Sequence, residues 1–187
     1  MDQEIETTLQ ILRRGGVILY PTDTVWGLGC DATNAEAVAK IYKIKQRSDT
    51  KSMLVLLDTE EKLSDYVETV PDIAYDLLEM ADKPLTVIYD NAVNLASNIV
   101  AEDGSIGIRI PNDPFCKKLI WKLKRPLVST SANISGQASP ALFSEISEEI
   151  KQAVDYVVNW RQNDKNKATP SSIIKLGARG EVKVIRQ

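Results

Sequence analysis

Residues 20–32 read YPTDTVWGLGCDA. Just upstream, Val17, Ile18, Leu19 and Tyr20 form a short apolar run behind Gly15 and Gly16, the pattern of a buried strand. The run stops on Pro21, continues through three polar residues, Thr22, Asp23 and Thr24, and then meets glycines at 27 and 29. A strand that ends so abruptly presents something at its end. Thr22 and Thr24 are expected at the rim of a cavity, with the glycines letting backbone pass close to a bound substrate. A proline turn whose hydroxyls cap neighbouring backbone accounts for the same residues without a ligand.

Working outward, Ile5, Leu9 and Leu12 recur at helical spacing over residues 4–14, and Gly15-Gly16 stops that helix. Asn34 is placed to cap a second helix with Ala37, Val38, Ile41 and Ile44 on its apolar face, and Met53–Leu57 is the next strand. Pro71 opens a helix that runs to Ala81; Leu85–Tyr89 and Ser105–Ile110 read as strands. A helix over Pro114–Leu123 precedes a strand at Pro126–Val128, and Phe143–Val154 reads as one helix. DYVV (155–158), SSIIKL (171–176) and EVKVI (181–185) are strand candidates, and QNDKNKATP (162–170) is a polar surface loop. Interleaved helices and strands with a strand-rich tail imply an α/β domain on a mixed sheet, and the 187 residues are expected to form a single domain, 1–187.

The sequence contains no histidine. Ser-His and Cys-His nucleophile pairs are thereby excluded, as is any His-containing zinc site, and two cysteines, Cys30 and Cys116, cannot make a four-thiolate one. No metal ligands are expected. The cysteines are expected to be buried free thiols. Hydrophobic residues at 43% and charged residues at 26% describe an ordinary globular chain, with no apolar run long enough to cross a membrane. The acidic start MDQEIETT lacks the basic character of a secretory signal, so a cytoplasmic protein is expected. A net charge of -3 exerts no global pull on polyanions, so any phosphate or RNA binding must be local.

Four polar clusters fall at strand or helix ends, where ligands gather in open α/β sheets. The first is the quoted stretch. The second, KIKQRSDTK (43–51), carries Lys43, Lys45, Arg47 and Lys51 at a helix end, an arrangement that suits a triphosphate or simply complements the helix dipole. The third, PLVSTSANISGQASP (126–140), runs a buried strand into Ser129, Thr130, Ser131, Asn133, Ser135 and Gly136, suited to phosphate oxygens or a small polar substrate, or to a Ser/Asn-rich turn. The fourth comprises Arg109 inside the apolar strand SIGIRIP, Ser171, Ser172 and Arg186. A cation inside such a strand has either an ion-pair partner or a ligand.

Taken in order and spacing, YPTDTVWGLGCDA, the Lys45-Gln46-Arg47 triplet with Lys51, SIGIRIP and STSANISG resemble the YrdC-type threonylcarbamoyl-adenylate synthases, relatives of the Sua-type enzymes. The resemblance runs from Val17 to Arg186. It implies an open, twisted mixed α/β sheet with helices packed on it and a large electropositive cavity. It also implies a nucleotidyltransferase that makes threonylcarbamoyl-adenylate and pyrophosphate from L-threonine, bicarbonate and ATP with Mg²⁺. The product would pass to tRNA threonylcarbamoyl-transfer proteins for tRNA modification. Thr22, Arg109, Ser129 and one of Ser171 or Ser172 are implied as threonine-side contacts. Lys45, Arg47, Ser131, Asn133, Ser139 and Arg186, with Lys43, Lys51 and Ser105, are implied on the nucleotide side, Lys45 and Arg47 being the catalytic pair. In that chemistry the carbamate of the substrate attacks the α-phosphorus, so no protein nucleophile is needed.

The sequence departs from the family pattern at Ser48 and Ser52, where relatives usually have proline, at Asp82-Lys83, which replace the first half of a Pro-Gly-Pro-Leu-Thr segment, and at Asn112, commonly histidine. Two alternatives accompany the synthase reading: a non-catalytic double-stranded RNA or tRNA-binding module, with Lys117, Lys118, Lys122, Lys124 and Arg125 as an outer patch, and a nucleotide-binding YciO-like paralogue. Carbamoyl-adenylate formation on the same fold, as in hydrogenase maturation, ranks below them. The chain ends after Arg186, so the additional C-terminal domain of longer relatives is not expected.

Overall fold

Helix α1 (Asp2–Arg13) buries Ile5, Thr8, Leu9 and Leu12 along one stripe. Its end is a double turn: Gly16 N–H donates to Ile11 O and Gly15 N–H to Leu12 O, with Gly15 at φ +74°, a conformation glycine adopts without penalty. The chain then enters β1 (Ile18–Tyr20), wholly buried, and returns antiparallel as β2 (Gly27–Gly29). The quoted stretch is therefore a hairpin, and its tip holds Pro21–Trp26. The computed structural model describes residues 1–46, 53–167 and 169–187. Arg47 and Lys51, read above as part of the second cluster, and Ser48 and Ser52, read as departures from the family pattern, lie outside the described residues.

Helix α2 (Ala35–Ile44) is capped as expected, Asn34 Oδ1 accepting from Ala37 N–H at 3.1 Å. Strand β3 (Leu54–Leu56) follows, then a 3-10 turn (Glu60–Lys62), the short helix α3 (Leu63–Tyr66), α4 (Ile73–Glu79), β4 (Leu85–Tyr89) and β5 (Ile106–Arg109). Helix α5 (Pro114–Leu123) has Asp113 as its cap and proline in its first turn; β6 (Leu127–Ser131) is next. The expected helix over 143–154 is broken. Phe143–Glu145 is a 3-10 turn, Ile146 is extended, and Ser147 starts α6 (Glu148–Ala153) by accepting from Ile150 N–H. Strands β7 (Tyr156–Val157), β8 (Ser172–Leu176) and β9 (Val182–Arg186) complete the chain.

Among the described residues, nine strands form one mixed sheet in the order β7-β1-β2-β6-β3-β5-β4-β8-β9. Pairs β1/β7, β3/β5 and β4/β8 are parallel and the rest antiparallel. Two apolar clusters pack against it. One joins α2, Trp26 and the alternate side chains of the central strands; the other packs α1 and α5 around Ile18, Tyr20 and Leu56. Each cluster buries a helix stripe that water would otherwise cover, which is the main favourable term in holding the layers together.

Strand β2 was not among the expected strands. Two of its three residues are glycine, poor strand formers, yet it is paired on both sides, with β1 and β6. Gly29 is needed for packing rather than for a ligand: a Cβ there would lie 2.6 Å from Cε1 of the Tyr20 ring and 2.8 Å from Val128 O. This corrects the expectation that Gly29 lets backbone approach substrate. Gly27, by contrast, does line a hollow.

Candidate functional site

The hairpin tip, the end of β5, the second half of β6, the start of β8 and the end of β9 meet around a cavity of about 270 Å³. Thr24, Arg109, Ser129, Ser131, Ser171 and Arg186 line it, with Ser139 on its outer side. Three of the four clusters thus converge on one hollow. The register sets Leu54 of β3 opposite both Gly107 and Ser129, and Gly27 opposite Ser131, while Arg109 lies two residues further along, opposite Leu56, and its long side chain lines the hollow from there.

Arg109 is 2% exposed and forms an ion pair with Asp23, whose second oxygen accepts from Asn112 N–H at 2.9 Å. Its Nε–H has no hydrogen-bond partner among the described residues; the buried Oδ1 of Asn133 has none either, but Asn133 does not line the cavity. Buried, unsatisfied polar atoms cost free energy, and at a hollow they mark where a ligand completes the network. Ser171 exchanges a hydrogen bond with Thr86 at 2.8 Å, and its carbonyl accepts from Arg186 at Nε (3.0 Å) and Nη2 (2.6 Å), which draws the exposed strand β9 over the hollow.

Lys45 belongs to the second cluster but does not line the cavity. It is 2% exposed, and its Nζ donates to the carbonyl oxygens of Ser131 (2.6 Å) and Asn133 (2.8 Å); its own carbonyl accepts from Ser135 N–H. Lys45 therefore holds the Ser-Ala-Asn loop from behind.

Other implied residues stand elsewhere. The Thr22 hydroxyl is used within the hairpin tip, donating to Val25 O at 2.8 Å, accepting from Thr24 N–H and contacting Thr24 Oγ1 at 3.0 Å, so Thr24 and not Thr22 faces the hollow. Of the pair Ser171 and Ser172, the first points inward, because strand side chains alternate. Ser105 differs most from expectation. It precedes β5 while Arg109 ends it, about 13 Å away along the strand, and its hydroxyl closes a turn on Asp103 Oδ1. Lys43 lies on a separate groove beside Val17, Ile44 and Glu149. The cations of the outer patch are largely matched by acids: Lys118 with Asp2, Lys122 with Glu6 and Arg125 with Asp31.

Asp23 and Arg161 had not been singled out. Asp23 sits in the quoted stretch, and a buried arginine in an apolar strand needs an acid, so a signal existed. Arg161 lies in polar sequence with no such signal. Its Nη1 donates to Asp113 Oδ2 at 2.8 Å and to Thr22 O at 3.3 Å, tying the hairpin tip to the start of α5.

Beneath the hollow, burial pushes the Tyr20 hydroxyl well above its ordinary range, with Cys116 adding to the effect, and Tyr20 donates to Val128 O. Burial likewise raises the thiols of Cys116 and Cys30, both free and buried as expected. Neither is an activated nucleophile. The site offers guanidinium groups, hydroxyls and backbone amides, equipment for binding and charge neutralisation.

A family model named Sua5/YciO/YrdC, described as "Telomere recombination", matches residues 10–187. The chain belongs to the Sua5/YciO/YrdC family. It is 34% identical over 158 residues to a protein of Pseudoalteromonas translucida called threonylcarbamoyl-AMP synthase, covering 83% of this chain and 84% of that protein. Its fold matches YciO of E. coli with a TM-score of 0.86 at 25% identity, covering 100% of this chain and 90% of YciO. It also matches P. abyssi Sua5 complexed with L-threonine, TM-score 0.84 at 25% identity, covering 94% of this chain. This chain spans 52% of the length of that Sua5. The expected open mixed α/β sheet is the fold these proteins share. No helix among the described residues is long and apolar enough to cross a membrane.

Proposed function

We propose that the chain is an L-threonylcarbamoyladenylate synthase, a nucleotidyltransferase that joins L-threonine, bicarbonate and ATP into threonylcarbamoyl-AMP and pyrophosphate. The observation that carries this reading is the single hollow on which Arg109, Ser129, Ser131, Ser171 and Arg186 converge. Relatives with the synthase name, 34% identical across most of the chain, and a threonine-bound Sua5 of the same fold support it.

The chemistry asks little of the protein beyond placement. Bicarbonate takes up a proton and loses water to give carbon dioxide, threonine's amine adds to it and releases a proton, the resulting carbamate oxygen attacks the α-phosphorus, and pyrophosphate leaves. The chain's part is to hold the two reactants in line and to offset charge on the phosphates. Arg109, Ser129 and Ser171 take the amino-acid side; Ser131, Asn133, Ser139 and Arg186, with Arg47 and Lys51, take the nucleotide. Lys45 shapes the Ser-Ala-Asn loop and adds a fixed positive charge, so the hollow is electropositive in this reading. Among the described residues no group of three acidic, cysteine or histidine side chains could hold a metal. In this reading Mg²⁺ would enter with ATP, held by its phosphates, and would supply charge neutralisation there. A single domain over 1–187, a cytoplasmic location and hand-over to tRNA threonylcarbamoyl-transfer proteins complete the proposal.

Pyrophosphate release by the purified chain should require ATP, threonine, bicarbonate and Mg²⁺ together. Release without threonine, or none at all, would return the reading to a YciO-like nucleotide binder. Binding of double-stranded RNA that falls steeply with salt, in the absence of any turnover, would favour the RNA module instead.

A further inference from the structure

We infer that Asp23 is a positioning residue: it holds one edge of the Arg109 guanidinium so that the other edge docks the carboxylate of the amino-acid substrate. This rests on the synthase reading for the identity of the substrate. The guanidinium is planar, with Nη1 on the side of Cδ and Nη2 on the side of Nε–H. The Nε and Nη2 pair forms a side-on fork whose spacing matches the two oxygens of a carboxylate. Asp23 takes Nη1 and leaves that fork to the hollow. Nε–H is buried without a partner among the described residues, which is the state expected of a donor awaiting its acceptor.

The pair is anchored at both ends. Asp23 Oδ2 accepts from Asn112 N–H, fixing the carboxylate against the segment that follows β5. Arg109 is only 2% exposed, so its guanidinium cannot swing to solvent. Asp23 itself faces away from the ligand hollow, onto a second and larger one of about 680 Å³ lined by Tyr75, Lys83 and Pro84. It acts through Arg109 and does not touch substrate. Because its charge balances that of Arg109, the fork's preference for a carboxylate comes from geometry more than from net attraction.

The test is a titration by calorimetry of the full chain and its Asp23→Asn variant with three ligands: L-threonine, L-threonine amide and ATP. Loss of the anchoring carboxylate lets the guanidinium turn, so affinity for L-threonine should fall about tenfold while affinity for the amide and for ATP changes less than about twofold. In turnover, KM for threonine should rise by the same factor with kcat nearly unchanged. Equal weakening of all three ligands would show a collapsed site and overturn the inference, as would unchanged threonine affinity. If Asp23→Asn does not fold, Asp23→Glu, which keeps the charge and shifts the anchor by one methylene, gives the same comparison. A wild type that binds threonine but releases no pyrophosphate would sink the synthase reading and leave the Asp23 comparison standing.

Discussion

Lys45 Nζ lies 2.6 Å from the carbonyl oxygen of Ser131 and 2.8 Å from that of Asn133, bridging the end of α2 to the loop after β6. A 2%-exposed ammonium held this way is part of the loop's structure as well as a source of charge. Lys45→Met keeps the bulk but removes two charge-assisted hydrogen bonds, each worth roughly 1.5–3 kcal/mol, and takes this donor from the Asn133 carbonyl, whereas Ser131 O still accepts from Asn133 N–H. Urea unfolding should report a loss of about 3 kcal/mol, and pyrophosphate release should vanish. A variant that loses activity at full stability would mean that Lys45 acts only on ligand.

Ser105 provides the opposite test, because its hydroxyl is used in a turn with Asp103 and it does not line the hollow. Hydrogen bonds from Ser105 first, then Lys175, hold the Asp103 carboxyl down at about 2, against 3.8 for a free group. A depressed folded-state value stabilises the fold at pH above 3.8, and that contribution disappears as pH falls through about 2. Ser105→Ala should lower the melting temperature at pH 6, with the difference from wild type shrinking as the pH approaches 2. Turnover at pH 7 should match wild type. Lost turnover with unchanged stability would restore Ser105 to the nucleotide site.

The outline of the fold was legible because apolar periodicity and caps are local. Asn34 begins one helix and Gly15 ends another by contacts within a few residues, and both stand where the pattern placed them. What escaped was set by distant partners, or by a local cap inside an apparently continuous helix. Strand β2 exists because β1 and β6 flank it, and the 143–154 helix breaks because Ser147 starts a new cap. For the site, motif order brought Arg109, Ser129, Ser131 and Ser171 together, but which of two neighbouring hydroxyls faces inward depends on side-chain alternation and turn bonding. Thr22 against Thr24 and Ser171 against Ser172 could not be separated from residue type alone.

Gly29 carries a prediction about packing. A Cβ there would meet the Tyr20 ring at 2.6 Å and Val128 O at 2.8 Å, and the ring sits in the rigid core between α1, α5 and the sheet. Gly29→Ala should cost about 2–3 kcal/mol, the range for overpacking a filled core. At Gly136 a Cβ meets nothing within 4 Å, but φ is +87°. Gly136→Ala should cost only about 1 kcal/mol, from backbone strain. Thermal unfolding of the two variants side by side checks the ranking, and a milder effect at Gly29 would contradict the packing argument.

Arg161 separates backbone from side chain. Its φ is +58°, unfavourable for any residue but glycine, and it stays there because its guanidinium is held by Asp113, Asp164 and the Thr22 carbonyl. Arg161→Ala loses those contacts and keeps the strain; Arg161→Gly loses them and relieves it. Since the ion pairs are partly exposed and screened, their loss should cost about 1 kcal/mol, and Arg161→Gly should recover much of it. Both variants release the hairpin tip from α5, so both should weaken threonine binding to the same degree whatever their stability. Calorimetry with L-threonine beside a melting curve checks this: threonine affinity that followed stability, weak in Arg161→Ala and normal in Arg161→Gly, would show that the backbone and not the tether to Thr22 sets the tip.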